Sequence, residues 1–516
     1  MAARLPLVNG GSTSLSSALK NEQNMLERLS WARKNLEARD DLAAQCKQGL
    51  VQDLVASHFG ISEKFTKTWC VVESVEEWLW GSFNWCIPIR INSGASGNKD
   101  RKVLLRCPME YRLRDAMEEK LRCEAATYIW MQENCPEIPI PQLFAFGFPD
   151  GRHFIHLSLL PFYKRWFAYI RRKVCAWTGR AVPSLYVEAP KPHSLATGYL
   201  LLEYIEPARG KPLSKSWFSH CESPAKRQNL FRGISRLMLS LARAPVDRIG
   251  SFTFNNSGKI SLSNRPLTCE VAILENSGAK RVIDRHETYE NVDSYINDIL
   301  TLHDNRFIAQ PNAVNGKSDC HYQMAIHMLL RSMASQYSDR SLRRGPFYMQ
   351  FTDLHQGNLI VDEDWNVISL IDLEWICARS PQMIYIPYWI TSKSVDEICS
   401  QPHINEFTQL WGEFMQIFQE EERRGNSQTP LSRIIDHTYR SGAVWYFLAL
   451  DSTNAMYRIF EHQLLPQFYP KSLPPNVDAY FARFWSKEAK SVEEKKLKEK
   501  EEYDTLLKRF FETKSV

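Results

Sequence analysis

Apolar positions recur every three to four residues between Ser14 and Val55 (Leu26, Leu29, Trp31, Leu36, Leu42, Leu50, Leu54), with Ser and Asn near the start as capping candidates. That period predicts helix. Residues 1–13 lack it and read as disordered. From Val71 the pattern shortens: VVESVEEWLW, CIPIRI and KVLLRCP read as strands, broken by GSFN and by the turn-rich SGASGNKD. A helical stretch from about Arg112 to Glu133 follows, then the extended PEIPIPQLFAFGF and the apolar strand GYLLLEYI at Gly198–Ile205. Beyond Ser223 the period is mostly helical, apart from the hairpin-like FTFNNSGKISL and the stretch FTDLHQGNLIVDEDWNVISLIDLEW. RSGAVWYFLALDSTNAMYRIF has the texture of a buried helix. The tail SKEAKSVEEKKLKEKEEYDTLLKRFF predicts a charged surface helix supported by i,i+4 Glu/Lys pairs.

Composition narrows the class without choosing a function. The 516 residues suffice for two or three structural units, and 44% hydrophobic with 24% charged residues is ordinary for a soluble globular chain. The 64 basic residues nearly balance the 59 acidic ones, so the net charge of +5 gives no reason to expect a nucleic-acid partner. Twelve scattered cysteines form no CxxC and no zinc-finger spacing. With no secretory leader, a reduced, cytoplasmic protein is expected. The first twenty residues contain no acidic residue, but their two basic ones are too few for a transit peptide. No apolar run approaches the roughly 20 residues of a membrane-crossing helix.

The chemistry concentrates at Phe351–Trp375. Asp353 and Asn358 are followed by Asp372, and the segments LIV and VISLI flank the turn DEDWN. This pattern predicts a β-hairpin that brings Asn358 and Asp372 together. Two oxygen ligands there suit Mg²⁺, which prefers one or two protein ligands plus substrate phosphates. Asp353, on the loop entering the hairpin, is then placed to accept a proton from an attacking hydroxyl, the division of labour that phosphoryl transfer needs. The bland alternative is that Asp353 caps a turn and Asp372 ends a strand; D-x-x-x-x-N alone does not exclude it.

In order and spacing the motifs resemble the aminoglycoside phosphotransferase family, with its protein-kinase-like fold, and in particular its long fungal members. DLHQGN resembles the family's catalytic loop and IDLEW its counterpart of the kinase DFG segment. The resemblance spans about Val71 to Phe460. It implies an α+β bilobal fold: a small antiparallel-sheet N-lobe, a mostly helical C-lobe, and helical extensions at both termini. The corresponding divisions are 1–70 (tail and helical extension), 71–205 (N-lobe and hinge, with a basic aromatic insertion at about 155–197), 206–485 (C-lobe with the catalytic loop) and 486–516 (charged helix).

Carried over residue by residue, the resemblance makes Asp353 the catalytic base and Asn358 and Asp372 the Mg²⁺ ligands. Gly81, Ser82 and Asn84 of GSFN fall where the nucleotide is covered. Arg106 stands where the family has the phosphate-binding Lys, and Glu124 is its ion-pair partner. The backbones of Glu203 and Ile205 would meet the adenine of ATP. His355 occupies the place of the protein-kinase catalytic-loop Lys, and a structural function for it is equally expected. The sequence departs from the family in its single Gly at the covering loop, in Arg106, and in Phe351 where a His is usual. Lys102 shares a strand face with Arg106 and is an alternative phosphate anchor.

These features predict an ATP- and Mg²⁺-dependent phosphotransferase acting on a small-molecule hydroxyl. Glu374, Asp436 and Asp451 are acidic candidates for the acceptor pocket. A pseudokinase that binds nucleotide or acts as a scaffold is the alternative, and a helical interaction protein is a third reading. Almost no room separates Asp372 from Pro381, which argues against a protein substrate. The basic aromatic segment 161–188 fits a cleft cover, an anionic ligand or a membrane surface; a solvated, partly packed flap is the expected reading.

Overall fold

The computed structural model describes residues 4–8, 10–92, 100–189, 195, 197–425, 430–469, 474 and 476–513. The architecture is α+β, with every strand pair antiparallel.

Alternation in NWCIPIRI and RKVLLRCP produces the strands Asn84–Ile91 and Arg101–Pro108, paired from Asn84↔Pro108 to Ile91↔Arg101. Because side chains alternate across a strand, Val103, Leu105 and Cys107 join Ile87 and Ile89 on one face. That face packs on Val51, Leu54 and Val55 of the Leu50–His58 helix. Arg106 points to the other face. There Leu200 and Leu202 of the neighbouring Tyr199–Glu203 strand pack with Ala125, Tyr128 and Ile129 of the Met117–Asn134 helix. Among the described residues the sheet has eight strands. Its order runs Cys70–Val72, Asn84–Ile91, Arg101–Pro108, Tyr199–Glu203, Leu143–Gly147, His153–His156, Tyr186–Ala189, with Leu79–Trp80 also on Asn84–Ile91.

Residues 1–13 are not uniformly disordered: Arg4–Pro6 and Ser12–Ser14 pair in register Arg4↔Ser14. VVESVEEWLW is not one strand, because a 3₁₀ turn at Val75–Glu77 separates Cys70–Val72 from Leu79–Trp80. The first helical period is divided among Leu15–Leu19, Met25–Lys47 and Leu50–His58. Asn24 caps the second helix by accepting from the Glu27 amide, and Gly49 turns the chain at φ +86°. The stretch expected as helix from Arg112 to Glu133 splits into Glu110–Leu113 and Met117–Asn134.

Most of the remaining chain is helical. Pro224–Ala242 packs on His403–Arg424 through Phe231 and Phe414, whose ring centroids are 5.2 Å apart, and through Arg227–Glu413 at 2.9 Å. Ala443–Leu450 is buried along its whole length, as its apolar run predicts. The charged tail forms the Ala489–Thr513 helix but is not simply a surface element. Tyr503, Leu507 and Phe511 bury themselves against Leu5, Ala18, Met25 and Leu29, joining the two ends of the chain. Within segment 161–188, expected as a solvated, partly packed flap, the Phe162–Trp177 helix has no buried residue, in keeping with that reading, while Tyr186–Ala189 pairs with His153–His156 and extends the main sheet. Among the described residues, no helix is long and apolar enough to cross a membrane.

Candidate active site

The hairpin at the centre of the motif is formed by Leu359–Val361 and Val367–Leu370, paired Leu359↔Leu370. One step beyond the last pair, the Ile371 amide donates to the Asn358 carbonyl at 2.9 Å, so Asn358 and Asp372 meet at the open end. Asp372 adopts φ +65°, a left-handed conformation that aspartate tolerates better than most residues. Asn358 is buried, and its Nδ2 donates to the Asp353 carbonyl at 2.9 Å, leaving Oδ1 as its remaining acceptor. Asp353, Asn358 and Asp372 line one small cavity of about 10 Å³ with Thr352 and Trp375. A second cavity of about 90 Å³ is lined by Asp353 and His355 together with Tyr385 and Tyr388.

From the sheet, Arg106 reaches the same carboxylates. Its Nη1 donates to Glu124 Oε1 at 2.7 Å, and its Nη2 lies 2.5 Å from Asp372 Oδ1 and 2.9 Å from Glu374 Oε2. Burial works against the guanidinium charge, but Asp372, Glu124 and Glu374 outweigh it and hold the group firmly protonated. Lys102 is not at the site: it lies 3.3 Å from Glu73 and over the Tyr204 ring.

Sequence reasoning missed a second buried cation. Lys120, one turn before Glu124, contacts Glu124 at 3.1 Å, Asn84 Oδ1 at 2.9 Å and the Glu374 carboxylate. Burial opposes its charge, yet Glu124 and Glu374 keep its pKa above the usual lysine value. Asn84 closes the circuit by donating to Glu374 Oε2 at 2.9 Å. Asn84 is thus a buried member of the ion network, while Gly81 and Ser82 form the turn before it. The Gly81 amide donates to the Asn84 carbonyl at 3.1 Å, and the Ser82 carbonyl accepts from Arg112 at 2.8 Å. Phe83 leans edge-on against Trp375, with centroids 5.0 Å apart.

Glu203 ends its strand with its amide donating to Gln142 at 2.8 Å and its carboxylate 2.7 Å from Arg209. Ile205 follows it, half-buried. The Glu203↔Val103 pair lies three residue pairs from Leu200↔Arg106, about 10 Å along the sheet. His355 Nδ1 accepts from the Gly357 amide at 3.0 Å, so a turn-capping function accounts for that nitrogen. Asp451 pairs with Arg379 at 2.7 Å and Asp436 with Arg440 at 2.8 Å; neither reaches the network above.

The charges decide what this arrangement can hold. Arg106 and Lys120 face three carboxylates, leaving one negative charge in excess before Asp353 is counted. Oxygens of Glu124, Asp372 and Glu374 lie within 4.8 Å of one another, but the two cations already neutralise much of that trio. Glu124 and Glu374 are buried, whereas the Asp372 side chain is 28% exposed, the one member of the three that an ion in the cavity can reach. With Asn358 Oδ1 beside it, the donor set is two hard oxygens, which fits Mg²⁺. Burial raises the Asp353 pKa above the usual carboxylate value. The neighbouring His355 opposes this rise, while the negative charges of Asp372 and Glu374 add to it. No family model matches the chain, and no curated protein matches it significantly.

Proposed function

We propose that this protein is an ATP- and Mg²⁺-dependent phosphotransferase with a bilobal, protein-kinase-like arrangement, related to the aminoglycoside phosphotransferases and acting on a small-molecule hydroxyl. The observation that carries this reading is the convergence of Asp353, Asn358 and Asp372 on one cavity, with the Arg106–Glu124 pair reaching Asp372 from the sheet. Asn358 and Asp372 would hold the metal, which supplies charge neutralisation for the phosphates when bound. Asp353 accepts the proton of the attacking hydroxyl; a bond forms from that oxygen to the γ-phosphorus as the bond to the β–γ bridging oxygen breaks, releasing ADP. Burial, which raises the Asp353 pKa, makes it a stronger proton acceptor than an exposed carboxylate. Arg106, fixed by Glu124, provides the fixed positive charge on the sheet side.

A small acceptor fits better than a protein. Ile376–Arg379 begins four residues after Asp372 and pairs with Tyr348–Phe351, leaving no segment there for a peptide platform. The cavity beside Asp353 offers Tyr385 and Tyr388 as walls.

A pseudokinase remains the second reading, favoured by one observation. Both terminal nitrogens of Arg106 are taken up by carboxylates, so phosphate must compete with Asp372 and Glu374 for them. Calorimetry with Mg²⁺–ATP, followed by ADP release with pooled aminoglycosides, amino alcohols and sugars, separates the two. The phosphotransferase predicts acceptor-stimulated ADP release that Asp353→Asn lowers by roughly a hundredfold or more with nucleotide affinity nearly intact. Asp372→Ala should weaken Mg²⁺–ATP binding itself. Binding without release supports the pseudokinase, and variants that bind and turn over like the parent overturn the site assignment.

A further inference from the structure

The Phe162–Trp177 helix buries none of its residues, although its sequence FYKRWFAYIRRKVCAW is rich in aromatic side chains. Only Ala168, Arg172 and Cys175 are partly covered. At 3.6 residues per turn these three fall within an arc of about 60°. That arc sits on the body: Arg172 reaches Glu133 at 2.9 Å and also donates to the Pro183 carbonyl. The same spacing puts Tyr163, Trp166, Ile170 and Trp177 on the opposite side, facing away from the protein. Trp166 is 68% and Trp177 88% exposed. A contiguous apolar face turned outward on a monomer marks an interaction surface.

The charges on the helix indicate which surface it meets. It carries five basic residues and no acidic one. Lys173 borders the aromatic face, and Arg171 with Lys164 on one flank and Arg165 on the other form basic shoulders between that face and the body. The helix joins His153–His156 to Tyr186–Ala189, the last two strands of the main sheet, so it sits at the periphery. A second copy docking face to face would set these basic shoulders against each other, which like charges disfavour. Aromatic side chains outward with basic side chains at their margins match an interface of apolar lipid chains beneath anionic headgroups.

We propose that the Phe162–Trp177 helix docks the protein on an anionic membrane surface, lying in the plane of the interface. Trp166 and Trp177 enter the headgroup boundary, and the basic shoulders meet lipid phosphates and carboxylates. The inference is independent of the phosphotransferase reading.

The test is sedimentation of the full-length protein with vesicles of phosphatidylcholine alone and with about 30% phosphatidylserine added. Binding should be at least roughly tenfold tighter with the anionic lipid and fall as salt rises. Trp166→Ser/Ile170→Ser/Trp177→Ser should abolish it; these side chains are exposed, so the fold is retained, which circular dichroism checks. Arg171→Glu/Lys173→Glu should remove the preference for phosphatidylserine. Equal affinity for both vesicles, no sedimentation with either, or unchanged binding by the triple variant would each overturn the proposal. A concentration-dependent dimer that the triple variant loses, without vesicle binding, would reassign the face to self-contact.

Discussion

Lys120 is the residue on which the site's architecture turns. Fully buried, it compensates Glu124 and Glu374 together with Arg106. Removing one partner of a buried ionic network leaves uncompensated charge, so Lys120→Met is expected to cost about 3–5 kcal/mol of folding stability. Adding Glu374→Gln should recover part of that loss, because the stranded carboxylate is gone. Urea titrations of the parent, both single variants and the double variant measure the coupling. If Lys120→Met unfolds at the parent's midpoint, the network does not hold as described. A lysine four residues before a glutamate on a helix ordinarily reads as a solvated pair worth a few tenths of a kcal/mol, which is why Lys120 escaped sequence reasoning. Glu374 was noticed only as an acidic candidate for the acceptor. Asp353, Asn358 and Asp372 were legible because their spacing around a hairpin is local. Contacts between Asn84 and Glu374, 290 positions apart, leave no local signature.

At the scale of elements, buried histidines tie helices together. His303 of the Val292–Ala309 helix lies 2.9 Å through Nε2 from the Leu450 carbonyl, at the end of the Ala443–Leu450 helix. A carbonyl only accepts, so Nε2 carries the proton. Burial lowers the His303 pKa from its ordinary 6.5 to about 3, against the help of that carbonyl bond. The folded protein therefore keeps His303 neutral where the unfolded chain protonates it. Its contribution is fully present above pH 6.5 and is lost as pH falls from 6.5 toward 3, by about 1.4 kcal/mol per pH unit. His303→Gln removes the titration while retaining an N–H donor. Between pH 6.5 and 5 its stability should therefore fall less steeply than the parent's by about that slope. Identical slopes in denaturant titrations would show that His303 is protonated in the folded state. Strong periods such as NWCIPIRI and AVWYFLAL made their elements readable from sequence. The breaks were less so: the turn at Val75–Glu77 and the division at Arg114–Ala116 depend on what each segment packs against.

At the scale of the whole molecule, the two chain ends form a cluster of their own. Tyr503, Leu507 and Phe511 close over Met25 and Leu29, and the Tyr503 hydroxyl accepts from the Met25 amide at 2.8 Å. Charge alone predicted a solvated tail, because Glu and Lys dominate its sequence; three apolar residues spaced four apart sufficed to seat it. Lys496 deepens the attachment, donating to the Ile308 carbonyl at 3.2 Å and pairing with Glu499 at 2.6 Å. The ion network at Arg106 draws on other elements: the sheet, the Met117–Asn134 helix and the segment that follows the Leu359–Leu370 hairpin. Loss of the tail should thus loosen the N-terminal extension and spare the site. Ending the chain at Lys487 is expected to speed tryptic cleavage at Lys20 or Arg28 roughly tenfold or more, since cleavage follows the population of the locally opened state. The fragment containing Arg106, Glu124 and Asp372 should persist through the same digest. Mass spectrometry of the time course distinguishes the outcomes. Early cleavage within Met117–Asn134 would mean that the tail supports the site's own elements, and unchanged protection at Lys20 and Arg28 would mean that the terminal cluster adds no stability.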